Sequence, residues 1–442
     1  MDKFDLVVIG GGPGGYIAAI RAAQLGARVA LVEKAEIGGT CLNRGCIPTK
    51  AIIHSVNLFD KFKKSQSFGL RYEHLGIDLK TVIDRKNKVV KIVVKGVEFL
   101  LQKNNVQVLH GSAKVHSDKQ VEINTPHEAA QRVVASKIIL ATGSSPTCIP
   151  GLTFDREKFL CSDDILDYCT FPEKLDIVGG GVIGIHFAHI FATLGSAVTV
   201  YEALPEILPG VDEEVTSIVK TALKRKNVNF LTNARFAASD SCGKTLICIG
   251  RTPNLTRLEE LSLKMEGNRV WVNERMETSL PGIYAVGDLV SKKMFAHVAY
   301  EQGELAAENA LGAERKYSYD IVPYGIYTNP EVGGVGLTES EARKQQAEIR
   351  IGKFPYSALG IATAMGEREG LFKVIADQND RLLGLHIIGA EATTLIGLGS
   401  LAMRQKLTAT QLAETFQAHP SFPEGLQEAA LNVFGRSLHF NN

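Results

Sequence analysis

One pattern occurs twice and limits what this chain can fold into. Residues 6–15 read LVVIGGGPGG, run on in helix-like fashion to Leu25 and Gly26, and are followed by RVALVE at 28–33. Residues 176–184 read DIVGGGVIG, run on to Leu194 and Gly195, and are followed by AVTVYE at 197–202. From Gly10 to Glu33 and from Gly179 to Glu202 the distance is 23 residues in both copies. Each copy predicts a strand, a glycine turn, a helix and a second strand ending in a carboxylate. Gly10 and Gly179 make the tight turn, Gly12 and Gly181 let a pyrophosphate approach the backbone, and Gly15 and Gly184 let the helix pack on the strand. The helix N-terminus offers free N–H groups and a positive dipole to the pyrophosphate, and the acid suits a ribose diol. A lone G-x-G-x-x-G says little. Two copies, each with its strand, helix and acid, predict two Rossmann-like units and two dinucleotides.

The bulk numbers fit that reading. A chain of 442 residues is too long for one core, so two to four domains are expected. Apolar content of 45% and charged content of 22% are those of an ordinary globular protein. A net charge of +1 argues against bulk nucleic-acid binding. The apolar run 6–20 is too short for a membrane span and is broken by glycines and Pro13. No secretory signal is visible. Cysteines stand at 41, 46, 148, 161, 169, 242 and 248, sparse and odd in number. A reducing compartment, taken here as cytoplasmic, suits them better than a secreted disulfide scaffold.

The rest of the chain organises around the repeats. Residues 51–110 carry a lysine-rich helical stretch read as a solvated face, and 111–140 alternate like strands. Residues 282–290 form a short buried strand ending in Gly287 and Asp288, and helices are expected near 391–406 and 424–434. The most specific segment is 38–50, GGTCLNRGCIPTK. Cys41 and Cys46 would share a helix face about one turn apart, with an irregular turn closing the remaining gap to disulfide geometry. The metal-binding spacing, Cys-x-x-Cys with a second pair, is absent, so no metal site is expected. Taken alone the two could be ordinary buried thiols; beside a dinucleotide fold, redox use is favoured.

With these motifs the chain resembles the class I pyridine-nucleotide disulfide oxidoreductases over nearly its whole length. The resemblance also rests on ATGS at 141–144, IGRTPN at 249–254, AVGD at 285–288, Ala296 with His297, YTNPEV at 327–332, GLTE at 336–339 and HPSFPE at 419–424. It implies an α/β fold of two Rossmann-like domains, for FAD and NAD, and a C-terminal α+β dimerisation domain. The expected boundaries are 1–148 for the FAD domain, 149–265 for the NAD domain, 266–318 for a segment returning to the FAD region, and 319–442 for dimerisation. By resemblance FAD would meet Gly10, Gly12, Gly15, Glu33, Lys34, Gly39, Thr40, Lys50, Ala113, Thr142, Gly143, Ser144, Gly287, Asp288 and Ala296. NAD would meet Gly179, Gly181, Gly184, Glu202, Gly250 and Arg251. Cys46 would face the flavin, Cys41 would exchange with substrate, and His419, oriented by Glu424, would be the base. His297 is read as packing and hydrogen bonding. The implied reaction is oxidation of dihydrolipoamide with hydride transfer to NAD, in a homodimer whose His419 reaches the other subunit's pair. The implied partner is a lipoyl domain of a 2-oxoacid dehydrogenase or glycine-cleavage complex, with no nucleic acid or membrane. The alternatives are an NAD(P)H-dependent reductase of another disulfide, or an impaired flavoprotein subunit. Glu202, with no Arg in 203–206, favours NAD over NADP.

Two departures stand out. His186 occupies a position where the family usually has a Glu that pairs with the lysine matching Lys50, which should make a charged Lys50 costlier to bury. The span near 232–246 is short, either by a genuine deletion or because a region is absent from the recorded sequence; a genuine deletion would leave part of the adenine pocket missing.

Overall fold

Strand β1 (Asp2–Ile9) is buried along its last four residues and turns at Gly10 into helix α1 (Pro13–Gln24), which has Pro13 in its first turn. Strand β2 (Val29–Glu33) is buried throughout. Such continuous apolar runs are what parallel strands covered on both faces require. The computed structural model describes residues 1–125, 129–241, 243–345 and 348–440; Cys242 lies outside them. β1 lies between β2 and Gln131–Leu140, parallel to both, and Gln107–His110 extends the sheet beyond β2. Ile283–Ala285 pairs in parallel with the C-terminal end of Gln131–Leu140, so a segment far along the chain returns to the first sheet. Helix Ala296–Ala310 crosses α1 where a Cβ on Gly303 would sit 2.2 Å from the Gly14 carbonyl oxygen.

Three helices follow β2: α2 (Gly39–Asn43), α3 (Cys46–Lys64) and α4 (Leu79–Lys103). The lysines of 51–110 are mostly exposed, as a solvated face should be. Lys86 differs: it is buried, and its Nζ donates to Asp167 at 2.5 Å.

The second repeat builds helix α5 (Val182–Leu194) between strands Lys174–Val178 and Ala197–Tyr201. Its sheet runs Val228–Leu231, Ala197–Tyr201, Lys174–Val178, Lys244–Ile247, Phe159–Leu160, all parallel. Between Leu231 and Lys244 the described residues hold one short 3-10 turn, Ala238–Asp240, and no strand. α5 is buried almost all round, because it packs on its own sheet and on α3. His186 and His189 are buried with it.

The third sheet is antiparallel, in the order Tyr324–Ile326, Glu331–Gly336, Leu382–Gly389, Leu371–Asp377, Ile349–Pro355. Helix Ala392–Arg404 packs on its inner strands and Pro423–Asn432 on Ile349–Pro355, within two residues of the bounds read from sequence. Among the described residues no helix is long and apolar enough to cross a membrane.

Candidate active site

The two glycine turns repeat one another contact for contact. A Cβ on Gly15 would lie 1.8 Å from the Gly10 carbonyl oxygen, and one on Gly184 2.0 Å from that of Gly179. These are the close helix–strand approaches that only glycine permits. Gly10 and Gly179 take φ of 104° and 106°, in the region that favours glycine. Gly12 and Gly181 cap their helices, and a Cβ there would meet nothing nearer than 3.9 Å and nothing within 4 Å. Both face a cavity instead.

The acids are pinned in the same way. Glu33 accepts from the Gly11 N–H at 2.6 Å and the Ala35 N–H at 2.7 Å. Glu202 accepts from Gly180 and Leu204, both at 2.7 Å. Each carboxylate is thereby fixed at its strand end, with lone pairs left for a ribose diol.

The cavity measures about 1740 Å³ and runs unbroken from the first turn to the second. That exceeds the roughly 300–1,000 Å³ of a drug-sized pocket and suits two dinucleotides. Of the expected FAD residues, all but Gly15 line it: Gly10, Gly12, Glu33, Lys34, Gly39, Thr40, Lys50, Ala113, Thr142, Gly143, Ser144, Gly287, Asp288 and Ala296. Of the expected NAD residues, Gly179, Gly181, Glu202, Gly250 and Arg251 line it and Gly184 does not. Gly15 and Gly184 serve the cradle from behind, through packing. The open cradles, the fixed acids and the size of the cavity fit FAD in the first half and NAD in the second.

Some of these groups are already engaged. Ser144 Oγ donates to Asp288 at 2.5 Å and accepts from Arg251 Nε at 2.8 Å. Arg251 also donates to the Ser144 carbonyl at 2.7 Å and to Thr40 Oγ1 at 3.3 Å. Its guanidinium thus ties the ribbon formed by Ser144–Pro146 and Arg251–Pro253 to the cysteine segment. His297 stacks on Phe295 and shares a 2.9 Å hydrogen bond with the Pro323 carbonyl, a packing role.

The cysteines do not share one helix. Cys41 lies inside α2 and Cys46 opens α3, with Arg44 and Gly45 breaking the helix between them. Both are free thiols and both line the cavity. The hydrogen bond from Cys41 lowers Cys46 to about 7; burial opposes this and the Lys50 ammonium adds to it. Cys41 is pushed up as the donor, with burial adding to the effect. The negative charge therefore rests on Cys46.

Among the described residues no acid replaces the missing Glu: the charged groups that act on Lys50 are Cys46 and Cys41, and its Nζ lies 4.6 Å above the centre of the Tyr327 ring. His186 Nε2 accepts the Tyr327 N–H at 2.8 Å, so that nitrogen carries no proton. Burial, then Lys50 and His189, hold His186 well below its usual range, and it is neutral.

His419 and Glu424 stand apart from the cavity. His419 Nδ1 and Glu424 Oε1 are 2.8 Å apart, and Glu424 Oε2 accepts the Ser421 N–H at 2.7 Å. Burial pushes Glu424 up, but the bonds from His419 and Ser421 outweigh it and hold the acid below its usual value. The His419 side chain is 80% exposed. This chain alone does not bring it to Cys41 and Cys46.

Sequence reasoning missed three cavity residues. Tyr327 lay within a motif already noted, without a role. Arg235 and Phe236 carried no local signal. They reach Glu202 because Ala234 N–H bonds the Glu202 carbonyl and Asn233 N–H that of Leu204, each at 3.0 Å. Phe236 packs edge-on to Tyr201 at 5.1 Å, and both line the second half of the cavity with Arg235. The shortened span thus leaves a wall, not a gap, beside Glu202.

Comparisons with known proteins agree with this geometry. Residues 4–303 match the family described as pyridine nucleotide-disulphide oxidoreductase, and 322–430 match its dimerisation domain. The chain is 38% identical to a dihydrolipoyl dehydrogenase of Thermus scotoductus, with 100% of both chains covered. It is 37% identical to that of Bacillus subtilis, covering 98% of this chain and 99% of the relative. The first of these alignments spans 470 positions, more than the length of this chain, so that relative holds residues absent here. Among solved structures, the flavoprotein disulfide reductase RclA of Escherichia coli superposes with a TM-score of 0.88 at 28% identity, covering 97% of this chain and 99% of RclA. LpdA of Mycobacterium tuberculosis does so with 0.90 at 25%, with the same coverage.

Proposed function

This chain belongs to the pyridine nucleotide-disulphide oxidoreductase family, and we propose that it oxidises dihydrolipoamide at Cys41 and Cys46 and delivers the electrons through FAD to NAD. The observation that carries this reading is the pair itself: two sulfurs in one cavity with both glycine cradles, Cys46 lowered to about 7 with Lys50 adding to the effect. When bound, FAD supplies the two-electron relay between the sulfurs and the nicotinamide.

The chain's own residues divide the remaining work. Gly10, Gly12 and Gly15 with Glu33 would hold the FAD pyrophosphate and ribose, and Asp288, fixed by Ser144, its ribityl chain. Gly179, Gly181, Gly184 and Glu202 would hold NAD. In the oxidised pair, a substrate thiolate attacks Cys41 sulfur, and Cys46 leaves as the thiolate. The second substrate sulfur then attacks the mixed disulfide, and Cys41 leaves with a proton while the substrate closes its own disulfide. His419 accepts the substrate thiol proton, and Glu424 fixes its ring and stabilises the charge it gains. An exposed His419 supports a homodimer in which the base reaches the partner's sulfurs. A lipoyl domain is the proposed partner, and a reducing cytoplasm the proposed setting, which suits the free cysteines.

Anaerobic addition of dihydrolipoamide to the holoenzyme tests this. A long-wavelength thiolate-to-flavin band should form and NAD should discharge it. No band at any substrate concentration, or turnover with NADPH and glutathione disulfide alone, would overturn the reading.

A further inference from the structure

Lys50 lies in the part of the cavity where the sulfurs lie, and among the described residues no carboxylate acts on it. What faces it is unusual for a half-buried ammonium. The Tyr327 ring lies beneath Nζ at 4.6 Å; its backbone N–H is held by His186 Nε2 at 2.8 Å, and its phenol bonds the Thr393 side chain. A cation over a ring face gains only about 0.5–2 kcal/mol, far less than desolvating an ammonium costs. The groups that act on Lys50 can be named from each element around it. They are Cys41 on α2, Cys46 on its own helix α3, His186 on α5 and the Tyr327 phenol before Glu331–Gly336. Asp288 acts on Cys46 and Glu331 on Tyr327, while His189 acts on His186. His186 is neutral, and Tyr327 is held neutral by burial. Among the described residues only the sulfurs supply a negative charge to Lys50, and they do so only when reduced.

We propose that His186, by holding Tyr327 under Lys50 as an uncharged support, makes the reduced pair the counter-ion of Lys50, so that the lysine gains a proton as the disulfide gains electrons. This rests on the redox reading of Cys41 and Cys46. The balance is simple at alkaline pH. The disulfide takes two electrons and its S–S bond breaks; Cys41 takes one proton, Cys46 stays a thiolate, and the Lys50 amine takes a second proton to become the ammonium. Burial already lowers Lys50, with the two sulfurs acting against it, which is the direction this needs. His186 is a positioning residue here, since it touches Lys50 only through Tyr327 and through its lack of charge.

The test is the two-electron potential of the holoenzyme as a function of pH. In the native protein the slope should steepen at alkaline pH, from one proton per two electrons to two. His186→Glu places a carboxylate beside the lysine and should move that steepening up by about one pH unit or more. His186→Gln accepts the Tyr327 N–H without charge and should leave it in place. Lys50→Met should abolish it, and this variant carries the test if His186→Glu does not fold. A steepening unmoved by His186→Glu, moved as far by His186→Gln, or surviving in Lys50→Met would overturn the proposal. Thiol counting on two-electron reduction separates the two levels. A gain of two thiols with an unmoved slope overturns the role of His186 alone, whereas no gain overturns the disulfide reading as well.

Discussion

At Cys46 the hydrogen bond from Cys41 and the charge of Lys50 favour the thiolate, and burial opposes it. With the sulfur at about 7, the thiolate-to-flavin band of the two-electron-reduced enzyme should be half developed near neutral pH and fade as pH falls through it. Lys50→Met removes a cation that favours the charged sulfur, so the midpoint should rise by about one unit; a spectrophotometric pH titration reads both. At Glu202 the carboxylate, fixed by two backbone N–H groups, repels a 2′-phosphate, while Arg235 lies in the same wall of the cavity. Glu202→Ala should therefore cut the preference for NADH over NADPH by about tenfold or more, as measured by the two dissociation constants. Arg235 also marks where residue-level legibility ends. Glu202 was readable because its spacing from Gly179 repeats that of Glu33. Arg235 and Phe236 reach the site through two backbone hydrogen bonds across the edge of a sheet, and no local pattern encodes such a pairing. His186 was readable as a departure, but its acceptance of the Tyr327 N–H from another sheet was not.

The glycine turns make a sharper prediction at the level of the element. Gly184 is closed in: a Cβ would collide with the Gly179 carbonyl oxygen, and α5 would have to move off its strand. Gly184→Ala should cost about 1–3 kcal/mol of stability, visible in the denaturation midpoint, and weaken NAD binding with it. Gly181 has open space and a φ of −73°, which any residue adopts. Gly181→Ala should leave stability within about 0.5 kcal/mol and still weaken NAD binding about tenfold, since the methyl would enter the cradle proposed to hold the pyrophosphate. Equal effects of the two substitutions on stability would contradict this division. Strand–turn–helix units were legible because their apolar runs and glycines act locally. The break between α2 and α3 was legible only in part: an irregular turn was expected between Cys41 and Cys46, but not that the chain would end one helix at Arg44 and Gly45 and begin another. The short connection from Leu231 to Lys244 was legible as a missing piece, but not as the wall that Phe236 supplies.

Across the whole molecule, the separation of His419 from the cavity fits the proposed homodimer. His419 and Glu424 are paired and oriented, yet the imidazole is largely exposed and lines no part of the space around Cys41 and Cys46. A base that cannot reach its own subunit's sulfurs can serve those of a symmetry mate, and in an isologous dimer each subunit would serve the other. This can be tested by mixing. Cys41→Ser lacks the exchanging sulfur and His419→Gln lacks the base, so each homodimer should lose nearly all oxidation of dihydrolipoamide by NAD. In a mixed dimer the intact Cys41 of one subunit faces the intact His419 of the other, while the opposite site lacks both. Random association of equal amounts makes about half the dimers mixed, each with one working site of two, so activity should recover to about a quarter of the native value. If the base served its own subunit, every site in the mixed dimer would lack one group and no activity would return. Co-expression with two affinity tags and assay of the doubly selected dimer distinguishes these outcomes. FAD content should be unaffected by His419→Gln, because His419 does not border the first cradle.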